Sequence, residues 1–169
     1  MQKALEAGKV RAIGLSNFVD ARFVDLVENM EVKPAVLQLE THVFSQQKRM
    51  RELMAPYGTR LMAWAPLAEG RNGIFTHPTL TAIGAKYGKT AAQTALRFLM
   101  AEDVIAIPKS VRRERLVENF SIDDFELSAE DLDAIRALDG GKPMFADFND
   151  PTLAKFLLEY DAKFNPERQ

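Results

Sequence analysis

The sequence contains no cysteine. Disulfide scaffolds, thiolate zinc sites and cysteine nucleophiles are thereby excluded. It has no run near the roughly 18 consecutive apolar residues that a membrane-crossing helix requires. No cationic leader followed by an apolar stretch opens it, so no secretion signal is expected. A cytoplasmic setting without a membrane partner is the expectation. Excess charge of either sign is also lacking: the formal net charge is −2 over 169 residues, which argues against nucleic acid as a partner. The only two histidines, His42 and His77, lack metal-ligand spacing, and no metal is expected. Repeats, low-complexity tracts and linkers are absent.

What is present is ordinary globular composition, 47% hydrophobic and 27% charged, enough apolar surface for a core. MQKALEA (1–7) reads as the last turns of a helix, ended by Gly8. Four short apolar segments follow at intervals: 10–18, 35–42, 60–68 and 104–110. Each reads as a buried strand. Between them lie helical patterns at 19–30, at 45–58 (opened by Ser45 and closed near Pro56 and Gly58), at 77–88, and at 90–102, where Thr90 and Gln93 form a capping box. A glycine-bearing loop, 69–75, follows the third strand. Ser110 is expected to cap a helix at 111–119. Ser128 with Asp131 opens another helix, and Asp150 caps a tail helix at 151–160.

Strands alternating with helices through short loops predict a parallel α/β protein. The strands end on polar or special residues: Ser16 and Asn17, Gln38, Trp64, and Lys109 with Ser110. In a (β/α) barrel that rim binds ligands. Four strands make half of a (β/α)8 TIM barrel over 1–141, with a tail carrying a short helix over 142–169. A complete barrel takes about 250 residues.

The stretch IPKSVRRERLVENF (107–120) concentrates Lys109, Arg112, Arg113 and Arg115 at a strand-to-helix junction. Free N–H groups and the helix dipole make such an end suited to phosphate. A lysine point charge and a planar arginine make a phosphate clamp, and arginine also stacks on bases. Arg115 shares a face with Glu118 and Asn119 at i+3 and i+4. Spacing alone leaves a solvated charged helix equally open. Taken singly, Trp64 reads as core, Ser16 and Asn17 as turn residues, and Gln38 as the partner of a buried backbone group.

These residues resemble a known family. ALEAGKVRAIGLSNF (4–18) and IPKSVRRERLVENF, with LQLETH and AWAPLAEG between them, are similar to the C-terminal half of NADP(H)-dependent aldo-keto reductases, close to the bacterial 2,5-diketo-gluconate reductases. The resemblance spans essentially the whole chain. It implies that Lys109, Ser110 and Arg115 hold the 2′-phosphate of NADP(H), with Arg115 also against the adenine. Val111 would lend a backbone contact, and Glu118 and Asn119 would meet the adenine amine. It likewise implies that Ser16, Asn17 and Gln38 hold the nicotinamide carboxamide, that Trp64 stacks on its ring, and that Leu67 and the loop after it follow the pyrophosphate. Ala65 stands where many relatives have serine. His42 resembles the family's structural histidine.

The family's Asp, Tyr, Lys and His tetrad falls before the region this chain matches. None of Tyr57, Tyr87 and Tyr160 matches the position of the tyrosine acid. The expected function is therefore the cofactor-binding half of an oxidoreductase for aldehydes or ketones, inactive alone. The alternative is a non-catalytic, self-associating half-barrel that still binds NADP(H). A sugar-phosphate isomerase or aldolase would need Lys109 as its Schiff-base lysine. Strands 10–18 and 104–110 would be open edges. Three arrangements answer that: a dimer of two copies, a separate N-terminal half, or a longer enzyme of which this chain is a piece.

Overall fold

A computed structural model describes residues 1–164. Its sheet has four parallel strands in sequential order: β1 (Gly14–Ser16), β2 (Val36–Glu40), β3 (Arg60–Trp64) and β4 (Ile105–Ala106). The helices are α1 (Gln2–Glu6), α2 (Asp20–Glu28), α3 (Lys48–Met54), α4 (Pro78–Lys86), α5 (Ala91–Ala101), α6 (Arg113–Phe120), α7 (Ala129–Arg136) and α8 (Pro151–Phe164). Helices thus lie between successive strands, the arrangement of half a (β/α)8 barrel.

The strands are shorter than their apolar runs predict. Among the described residues β1 and β4 are edge strands with one neighbour each, β2 and β3 respectively. β2 and β3 pair over five positions, from Val36 opposite Arg60 to Glu40 opposite Trp64. β4 pairs over only two. Gly14 sits where β1 comes closest to β2: an added Cβ would lie 2.6 Å from Val36 Cγ2 and 2.9 Å from the Val36 carbonyl oxygen.

The main core forms between sheet and helices, with a smaller cluster of Leu96, Ile122 and Phe125 beside it. Leu37, Leu39, Leu61 and Ala63 point from the strands onto Phe23 and Val27 of α2, Met50 and Met54 of α3, Phe98 and Leu99 of α5, and Ile135 of α7. The 3.6-residue period gives α5 a wide buried face. The Thr90–Gln93 capping box forms, with the Gln93 N–H donating to Thr90 Oγ1 at 3.2 Å and the Thr90 N–H to Gln93 Oε1 at 3.0 Å. Ser128 caps α7 through the Asp131 N–H, and Asp150 accepts from the Thr152 N–H at 2.8 Å.

Two expected caps are replaced. Ser45 does not open α3; it bridges back to His42, and Gln47, at φ 55°, precedes the helix instead. Ser110 lies too early to cap α6, whose N-cap is Arg112; its hydroxyl accepts from the Arg112 N–H at 3.1 Å in a tight turn. The 45–58 helix also stops early. α3 ends at Met54, and a 3-10 turn over Ala55–Tyr57 carries Pro56 before Gly58 turns left-handed.

Buried charge staples the helical layer. Glu102, just past α5, accepts from Arg51 of α3 at 2.7 Å and from Arg136 of α7 at 2.5 Å. Asp131 of α7 accepts from Tyr87 Oη at 2.6 Å and pairs with Lys86. No helix of the described residues is long and apolar enough to cross a membrane.

Candidate cofactor site and its relatives

The first group of candidate side chains lies at the ends of β1 and β3 and on β2 between them, where Gln38 is the middle residue of its strand rather than its end. Parallel register places Ser16 beside Gln38, and Glu40 beside Trp64. Asn17 leaves β1 with φ 60°, a conformation asparagine tolerates better than most residues. Its N–H donates to the Gln38 carbonyl at 2.9 Å, and its side-chain oxygen accepts from the Trp64 indole N–H, also at 2.9 Å. Asn17 therefore ties β1 to β2 and to the end of β3. The Gln38 amide nitrogen donates to Met62 Sδ at 3.3 Å, a weak acceptor that leaves most of the amide's hydrogen-bonding capacity open. Ser16 is exposed; Asn17, Gln38 and Trp64 are half-buried.

The second group gathers around a separate cleft of about 290 Å³ at the β4–α6 junction. Lys109, Ser110, Arg115, Glu118 and Asn119 line it together with Leu67. Lys109 and Arg115 are exposed, and among the described residues neither has an ion-pair or hydrogen-bond partner. Glu118 is engaged: its carboxylate accepts from the Thr90 hydroxyl at 2.6 Å. The cleft's free charge is therefore cationic. Val111 is not among the lining residues, and its side chain is 83% exposed. Leu67 borders the cleft from the loop that follows Trp64 and Pro66. The 68–73 segment continues as a 3-10 stretch with left-handed residues at Glu69, Gly70 and Asn72.

Phe75, Thr90 and Ala92 also line this cleft. Thr90 has a sequence signal as a cap but none as a site residue. Phe75 has only its glycine-rich setting.

A third feature has no counterpart in the motifs. The segment after α7 returns across the strand ends. Glu40, the last residue of β2 and 3% exposed, accepts from the Met144 N–H at 2.5 Å, from the Phe145 N–H at 3.1 Å, and from His42 Nε2 at 3.2 Å. Burial opposes its negative charge, but those three hydrogen bonds outweigh it and hold the carboxyl below its ordinary value. The Phe145 ring lies 5.6 Å from Trp64, centroid to centroid, and the Arg71 guanidinium sits 4.6 Å from the Phe145 centroid.

The tyrosines lie elsewhere. Tyr57 donates to Glu28, and Tyr87 to Asp131. Tyr160 lies on α8. Among the described residues no cluster of three or more His, Asp or Glu could hold a metal ion.

Comparison with known proteins places the fold. The sequence model described as "Aldo/keto reductase family" matches residues 1–140. A glyoxal reductase of Bacillus subtilis is 41% identical over 138 residues, covering 82% of this chain and 49% of the relative. An aldo-keto reductase of a Mycobacterium species is 40% identical over 142 residues, covering 84% of this chain and 51% of the relative. Among solved structures, MGS-M4, an aldo-keto reductase from a Medee basin deep-sea metagenome library, superposes with a TM-score of 0.85 at 37% identity, over 88% of this chain and 55% of that one. A variant of Gox0644 in complex with NADPH superposes with a TM-score of 0.82 at 34% identity, over 88% of this chain and 54% of that one. The chain spans about half the length of these relatives. With its four-stranded parallel sheet and its rim of polar strand ends, the chain belongs to the aldo/keto reductase family.

Proposed function

We propose that this chain is the cofactor-binding half of an NADP(H)-dependent reductase of aldehydes or ketones. One observation carries the reading: Lys109 and Arg115, both unpaired among the described residues, share one cleft with Ser110, Glu118 and Asn119. That donor set suits the 2′-phosphate and adenine of NADP(H): a flexible ammonium, a planar guanidinium, a hydroxyl, and an amide with a carboxylate for an amine. Lys109 and Arg115 would hold the phosphate. Ser16, Asn17 and Gln38 would orient the carboxamide end, with Trp64 as the platform and Leu67 between the two groups. Val111 would contribute through its backbone. The bound cofactor supplies a hydride to the carbonyl carbon. Names of relatives support this class: the Gox0644 variant was solved with NADPH, and a Candida tropicalis relative is an NAD(P)H-dependent D-xylose reductase.

The proton for the carbonyl oxygen has no donor in this reading among Tyr57, Tyr87 and Tyr160. A completing half would bring the Asp, Tyr, Lys and His. Its docking places are the edges of β1 and β4, the latter beside Met100, Ile107, Leu116, Val117 and Phe120, which expose apolar surface, and a groove of about 310 Å³ between α5 and α6. The occupant is a second set of parallel strands and helices, argued from the half-length match to the relatives. Calorimetry with NADPH and NADH tests the first part, with NADPH expected to bind more tightly. Co-expression with the N-terminal half of a relative, then NADPH oxidation with an aldehyde panel, tests the second. Turnover in the co-purified pair supports the reading. A pair that forms and binds NADPH without turnover favours a non-catalytic binding module. A homodimer that excludes the other half overturns the docking assignment.

A further inference from the structure

The carboxylate of Glu40 is the most heavily used acceptor at the strand ends. It terminates an apolar strand, where a lone buried charge is unfavourable. Its three donors come from two places. His42 is local. Met144 and Phe145 arrive from more than a hundred residues later, and their successive N–H groups converge on the two carboxylate oxygens, one on each. The returning segment is fastened on both sides of this point. The Gly140 N–H donates to the Phe44 carbonyl at 2.9 Å, the Gln46 N–H donates to Asp139 Oδ1 at 3.1 Å, and Asn149 Nδ2 donates to Asp20 Oδ2 at 2.6 Å. Residues 139–149 thus form a strap across the rim, and Glu40 holds its middle.

The strap delivers one aromatic ring to the rim. Phe145 packs against Trp64 at 5.6 Å with the planes inclined by 53°, and against His42 at 6.2 Å edge to face. Arg71, from the loop after β3, lies against the same ring. Trp64 is meanwhile fixed in its own plane by the hydrogen bond from its indole to Asn17. The ring that the proposed function uses as a platform therefore has an aromatic neighbour, whose place is set by a buried carboxylate on the adjacent strand.

We propose that Glu40 is a positioning residue that seats Phe145 as a gate beside Trp64, so that a planar ligand group reaches Trp64 only past Phe145. The ligand-facing part rests on the proposed function; the seating itself does not, and it is measured on the unliganded chain. Trp64 is the only tryptophan, so intrinsic emission reports this one site.

The test is acrylamide quenching of Trp64 in the full chain, in Glu40→Gln, in Phe145→Ala and in the double variant, with far-UV circular dichroism on each. A glutamine keeps one acceptor oxygen and places an NH2 against the remaining N–H, so the strap loses its two-point grip. Each single variant is expected to raise the quenching constant roughly two-fold with the circular dichroism unchanged, and the double variant to add nothing further, because both act through one ring. Additive increments in the double variant would overturn the proposal, as would unchanged quenching in Phe145→Ala. If Glu40→Gln does not fold, Glu40→Asp, which keeps the charge but withdraws it from the Met144 and Phe145 N–H groups, takes its place in the cycle with the same expected and overturning results. Failure of the chain to bind NADPH would sink the proposed function and leave the gate measurement standing.

Discussion

Replacing Lys109 by methionine and Arg115 by alanine removes both free cations from the cleft at the β4–α6 junction while leaving its walls. Methionine keeps most of the lysine's apolar stem, and neither residue has a partner in the described structure that would be orphaned. The folded chain should therefore be almost as stable as before, within about 0.5 kcal/mol for surface sites of this kind. Binding is another matter. A hydrogen bond to a charged group contributes about 1.5–3 kcal/mol, and exposure with salt screening reduces that to about 1–2 kcal/mol for each side chain here. Together the two substitutions should cost about 2–4 kcal/mol of NADPH affinity, or roughly 30- to 700-fold. NADH lacks the 2′-phosphate, so its affinity should change by only a few-fold, the remainder of Arg115's contact with the base. The assay is calorimetric titration of both dinucleotides at two salt concentrations. In the parent, NADPH binding should weaken as salt rises, and in the double variant that dependence should flatten. Equal losses for NADPH and NADH, or an unchanged ratio between them, would refute the assignment of the phosphate to this cleft.

Three further outcomes follow from the scaffold. Asp131→Ala leaves the Tyr87 hydroxyl without its acceptor and Lys86 without its pair; because Lys86 is 57% exposed and rehydrates, the expected loss is about 2–3 kcal/mol, read as a lower urea midpoint. Gly14→Ala drives a methyl group into Val36 at the β1–β2 contact and should cost about 1–3 kcal/mol, seen as a lower melting temperature. Burial opposes ionisation of Glu102 and Asp131, but Arg51 and Arg136 around the first, and Lys86 and Tyr87 around the second, outweigh it and keep both carboxyls below their ordinary values. Groups depressed in this way contribute stability that is fully present above the unfolded carboxylate range near about 4. That contribution is lost as pH falls through their lower folded values. The urea midpoint should thus hold between pH 7 and 5 and drop by pH 3, and the drop should shrink in the Asp131→Ala variant.

The residues alone determined the order and kind of the elements, because those depend on local periodicity and punctuation. The spacing in 90–102 writes a helix, and Thr90 with Gln93 marks its start in four adjacent letters. Ser128 with Asp131 does the same for α7. The polar residues Asn17 and Lys109 stand out in the same way, each one or two positions past an apolar run, whereas Gln38 lies inside its run and Arg115 four positions beyond Val111. Local reading failed at Ser45 and Ser110. Both are good capping residues by type, but each hydroxyl or backbone found a closer partner, in the His42 bridge and the Arg112 turn. The resemblance already implied that the tail from 140 onward, with Met144 and Phe145, closes over the substrate side; tertiary structure alone decided how it is fastened there. Nothing near Glu40 announces that its carboxylate will take the N–H groups of Met144 and Phe145, because the chain between them must first fold into two more strands and the helices around them. A contact of that separation has no periodicity to betray it. It exists because a buried charge needs donors, and folding brought those two within reach.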